Sequence, residues 1–93
     1  MVDPGAFEDE QFKRLPQAAD LRAYLEEGRP TNHFLTALLE NDLMACMGRA
    51  DARNLAALKD YCEWLKSFAP GLSYGSPERV AAWISNGGLK GKE

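Results

Sequence analysis

Few side chains in this sequence can do chemistry, and Asp42 is the most informative of them. If the apolar run from residue 31 to 47 or 48 is one helix, Asp42 falls on the wheel between Leu35, Leu38, Ala45 and Cys46, inside the apolar stripe. A carboxylate in that position costs several kcal/mol unless it is paired or hydrogen-bonded. Three readings are open. Asp42 accepts hydrogen bonds from backbone N–H, tyrosine or indole groups of another helix, with the start of the last helix as one source. It acts as an acid or a ligand-binding carboxylate. Or the helix rolls and leaves it exposed. Asn41 beside it reads in the same way. Tyr74 lies in a loop, where its ring either covers a helix end or touches a partner.

The remaining candidates are weaker. Cys46 and Cys62 fall on neighbouring helices. With a turn near residue 50, antiparallel packing separates them by about two turns, on the order of 10 Å by helical rise. That is beyond disulfide reach, so both are expected as buried free thiols. His33 is the single histidine and has no second ligand at metal-binding spacing, so neither metal nor cofactor is expected. Ser76 precedes Pro77 and reads as a helix cap, not a nucleophile. The glycines at 71, 75, 87 and 88 read as stops and turns, because no Lys-Ser/Thr pair follows to make a phosphate loop. No catalytic residue is assigned. Trp64 sits at the border of its helix, either as edge packing or as a partner-contact anchor, since tryptophan is enriched in interface hot spots. Trp83 is expected in the core.

Four helices would position these groups. The first runs over 16–27, with Pro16 at its first position, Leu21, Tyr24 and Leu25 on one face, and Gly28 as its stop. Thr31 or Asn32 caps the second, which is apolar nearly all round and therefore central. The third spans 52–68 and is amphipathic, with Lys59, Asp60, Glu63, Lys66 and Ser67 within a ~120° arc. The fourth starts at Ser76 and Pro77 and ends near Ser85 before Asn86, Gly87 and Gly88. The expected fold is all-α, a compact bundle of four helices with short loops, the second and third forming an antiparallel hairpin. A flexible acidic arm over 1–14, a single helical domain over 15–88 and a mobile tail over 89–93 complete it.

Composition narrows the classes of function. Ninety-three residues, 45% hydrophobic, give one domain with no room for separate cofactor and substrate domains. Eleven Lys and Arg face 14 Asp and Glu, for a net charge of -3. No basic run is present, which makes nucleic acid an unfavoured partner and weak nucleic-acid association a minor alternative. No stretch reaches the ~18–20 apolar residues that span a bilayer, and the acidic start lacks a signal-peptide core. The expectation is a cytoplasmic protein with reduced thiols.

Several strings carry a resemblance: YLEEG at 24–28, FLTALLENDL at 34–43, GRAD at 48–51, AP at 69–70 and GSPERVAAWI at 75–84. They resemble a family of small tailed-bacteriophage and prophage proteins that have no assigned activity, over residues 15–88. NDL and GSPE-VAAWI are the specific parts. The resemblance implies a phage gene product in the bacterial host cytoplasm and supplies no activity. With the absence of a catalytic constellation, it leads to a binding protein that inhibits or redirects a host or phage protein. Trp64, Tyr74, Asn41 and Asp42 are its candidate contacts, and a homodimer stays open. The alternative is an oligomeric small-molecule or nucleotide binder, in which Asp42, Asn41 and Tyr74 converge on the ligand.

Overall fold

The computed structural model describes residues 4–92. Residues 1–3 of the expected arm and Glu93 of the expected tail lie outside the described residues. Seven α-helices follow in order: α1 Glu10–Lys13, α2 Ala18–Glu27, α3 His33–Leu39, α4 Leu43–Arg49, α5 Ala52–Ala56, α6 Leu58–Phe68 and α7 Pro77–Ser85. Short 3-10 turns occupy Pro4–Glu8, Gly71–Ser73 and Lys90–Lys92. No strand occurs among the described residues. The all-α class therefore holds, and the four-helix count does not.

The count changes because two expected helices are broken. The second breaks at residues 40–42. Asn41 takes φ 64, the left-handed region that asparagine enters more readily than most side chains. The N–H of Asn41 then reaches the Leu38 carbonyl at 3.1 Å, and that of Asp42 reaches Ala37 at 2.9 Å. These are the two bonds of a Schellman stop. Asp42 starts the next helix by accepting the Ala45 N–H at 3.1 Å. The chain reverses there, and α4 packs back on α3. The expected third helix breaks at Ala57, leaving α5 as a separate short helix capped by Asp51 through the Asn54 N–H at 2.8 Å.

The other punctuation follows the sequence closely. Asn32 caps α3 through the Leu35 N–H, and Ser76 caps α7 through the Arg79 N–H, with Pro77 in the first turn. Gly28 stops α2 at φ 70. The first helix begins at Ala18, past Pro16.

Residues 5–14, within the expected arm, pack on the rest of the chain through their apolar side chains. Ala6, Phe7 and Phe12 are buried, and the two phenylalanine rings cover Trp64. The Trp64 ring lies 4.7 Å from Phe12 and 5.9 Å from Phe7, and its indole N–H donates to the Ala6 carbonyl at 3.1 Å. None of Trp64 is exposed. The edge position expected for it came from reading α6 alone. Its face is off the centre of the helix's apolar stripe because it meets the N-terminal segment. Two residues of the expected tail touch α2: the Leu89 N–H donates to the Leu25 carbonyl at 2.9 Å, and Lys90 pairs with Glu27 at 3.3 Å.

A buried polar chain joins three elements. The Tyr61 hydroxyl donates to Asn54 Oδ1 at 2.9 Å and accepts the Gln17 N–H at 3.1 Å. Tyr61→Phe leaves both groups without this partner, and the expected loss is about 1–3 kcal/mol in denaturant unfolding. A loss below about 0.5 kcal/mol would mean that water replaces the hydroxyl. The radius of gyration is 12.1 Å, against about 12 Å for one domain of this length. No helix among the described residues is long and apolar enough to cross a membrane.

Candidate functional site

The break at Asn41 has a cost on the surface. A single long helix would have buried its whole circumference, whereas α4 is short and packs with only part of its own. Cys46 is buried and Ala45 half-buried. Leu43 is 58% exposed, Met44 82% and Met47 45%. Three large apolar side chains on one seven-residue helix therefore meet solvent.

Beside them lies a half-open cleft of about 250 Å³. The α3–α4 junction contributes Asn41 and Asp42, with Leu38 from α3. Leu43 and Cys46 of α4 form one wall, and Cys62 and Leu65 of α6 face them. Tyr74 and Gly75 close the end from the α6–α7 loop. That loop is fixed by several bonds. The Gly75 N–H donates to the Leu39 carbonyl at 2.7 Å, at a φ of 118 that favours glycine. The Tyr24 hydroxyl donates to the Ser73 carbonyl at 2.6 Å, and Arg79 Nη1 donates to the Gly71 carbonyl at 3.1 Å. Burial, with a smaller contribution from Glu40, holds the Tyr24 hydroxyl protonated well above the ordinary tyrosine range, so it remains a donor.

Asp42 is exposed, with one carboxylate oxygen capping α4. The other oxygen has no hydrogen bond or ion pair among the described residues. Its negative charge, after burial and the neighbouring Cys62, pushes the Cys46 thiol up. Burial pushes the Cys62 thiol up as well. Both therefore stay protonated near neutral pH, which is opposite to the depressed pKa of a nucleophilic thiolate. His33 is exposed at the start of α3 and is not among the cleft's lining.

The cleft brings together three of the four side chains singled out from the sequence: Asn41, Asp42 and Tyr74. The fourth, Trp64, is sealed in the core. The cysteines also need correction. Cys62 is exposed rather than buried, and both thiols line one cavity, because the intervening α5 breaks the straight hairpin register from which their separation was counted. Leu43, Met44 and Met47 belong to the run that reads as a central, buried helix in the sequence. The signal that exposes them is the Asn41 and Asp42 pair read as stop and cap. A second hollow of about 220 Å³ is lined by Leu72, Glu78, Arg79, Ala82, Trp83 and Asn86 and is more open than the first.

No protein-family model, no curated protein and no solved structure matches this chain, so these comparisons do not link it to phage or prophage proteins.

Proposed function

We propose that this protein acts by stoichiometric binding of another protein, which it inhibits or redirects, and that the partner docks on α4 and in the adjoining cleft. The observation that carries the reading is the exposure of Leu43, Met44 and Met47 beside that cleft. Apolar side chains clustered at a concave surface are a recurrent mark of association sites, and methionine adapts to varied partners. The partner lays an apolar segment along α4 and inserts one long side chain into the cleft. Proteins of a bacterial host are the first place to look for it, on the strength of the NDL and GSPE-VAAWI strings. No catalytic step is assigned, since the two thiols are held protonated and no imidazole adjoins them.

Met44→Asp tests the reading. The side chain touches solvent over most of its surface, so stability should change by less than about 0.5 kcal/mol. Affinity capture from host lysate should recover one stoichiometric protein with the parent chain and none with the variant. Equal recovery by both would remove α4 from the docking surface.

The convergence of Asn41, Asp42 and Tyr74 favours a second reading, a small-molecule site. The volume is below the ~300–1,000 Å³ of most ligand pockets, so a nucleotide is a poor fit. A ligand present at 100 times its Kd adds ~2.7 kcal/mol, which moves the melting temperature by more than about 10 °C in a domain of this size. A metabolite producing that shift, lost in Asp42→Asn, would transfer the assignment to this reading.

A further inference from the structure

We infer that the side chain taken by the cleft is a lysine of the partner, with its methylene stem between Leu43 and Leu65 and its ammonium on Asp42. The inference rests on the docking reading above and deepens it. Among the described residues, Asp42 is the only carboxylate lining the cleft, and no Lys, Arg or His lines it. Its charge already acts on the Cys46 thiol, so the cavity lies within its field. That field attracts a cation and disfavours an anion.

The acceptor pattern selects among cations. Asp42, Asn41 and Tyr74 each bring a hydrogen-bond acceptor to the lining of a hollow otherwise formed by leucines, Gly75 and two protonated thiols. An ammonium has three donors and a flexible apolar stem. A guanidinium is served best by a carboxylate with both oxygens available for paired bonds. In Asp42 one oxygen is already engaged by the Ala45 N–H, which leaves a single oxygen suited to a point charge. The cleft's volume of about 250 Å³ suits one long side chain more than a larger ligand.

The test is an amide chemical-shift titration of the whole protein with three probes. They are the Nα-acetyl N-methylamides of lysine, norleucine and arginine. Lysine should shift the amides of Asp42, Leu43, Cys46, Cys62 and Tyr74 and bind about tenfold or more tighter than norleucine, as a charge-assisted hydrogen bond requires. Asp42→Asn should erase that preference without unfolding α4, because asparagine caps a helix as well as aspartate does. Norleucine binding as tightly as lysine, arginine binding tighter, or no shift with any probe would overturn the inference. If the probes fail while Met44→Asp still abolishes partner capture, the lysine is wrong and the docking surface stands. If Met44→Asp leaves capture intact while the lysine preference is present, the docking surface on α4 is wrong and the cation site in the cleft stands.

Discussion

Trp64→Ala should destabilise the protein by about 3–5 kcal/mol, the usual cost of removing a buried aromatic side chain. That is a large part of the ~5–15 kcal/mol that holds a small domain together. The melting temperature should fall by about 15 °C or more. The loss has several sources. The ring is fully buried and lies against Phe7, Phe12 and Phe68. Its removal leaves the Ala6 carbonyl without its indole donor. It also removes the surface on which the N-terminal segment is seated, so Phe7 and Phe12 lose their cover together. A tryptophan at a helix edge would behave differently, with a melting point within a few degrees of the parent and a defect confined to partner binding. Calorimetry separates the two outcomes.

The second large effect is expected at Gly28. Its φ of 70 costs an ordinary L-residue about 1–2 kcal/mol. A Cβ there would also stand 2.8 Å from the Gly88 nitrogen and 2.9 Å from the Gly87 Cα, and backbone cannot swing aside as a flexible side chain can. Gly28→Ala should therefore cost about 2–4 kcal/mol, the sum of the strained cap and the crowding. Relief requires the chain after Ser85 to lift off α2, giving up the Leu89 to Leu25 hydrogen bond and the Lys90 to Glu27 pair. Denaturant unfolding measures the loss, and hydrogen exchange at Leu89 reports the undocking. Gly48→Ala is the matched control. Nothing lies within 4 Å of its Cβ position, and a helical glycine replaced by alanine should gain about 0.5–1 kcal/mol. A loss below about 1 kcal/mol for Gly28→Ala would show that the two segments do not meet closely.

The parts of this fold that were legible in the sequence are those decided within a few residues. Asn32, Ser76 and Gly28 act on their own helix ends, and each does what its side chain or its missing Cβ allows. The break at Asn41 was equally local, yet it was hidden by the apolar residues around it. Leu38, Leu39, Leu43 and Met44 satisfy a helical period so well that Asp42 looked like a carboxylate in a core. Read as a cap, it needs no buried partner. Trp64 and residues 4–14 were illegible for the opposite reason. Phe7 and Phe12, which cover Trp64, lie more than fifty residues away in the chain, and no periodicity within α6 reports them.

The candidate site was legible in part. The small-molecule alternative has Asn41, Asp42 and Tyr74 converge on a ligand, and the structure places the three in the lining of one cleft. Its apolar rim was not legible, because the exposure of Leu43, Met44 and Met47 follows from the reversal at Asn41. Once the long helix is divided, α4 is too short to bury its own apolar side chains against α3.

The most direct test of docking on α4 and the cleft is hydrogen–deuterium exchange on the captured complex, compared with the protein alone. Protection should concentrate in residues 38–47, 62–65 and 74–75. Protection confined to α2 or α7, with α4 unchanged, would contradict the account.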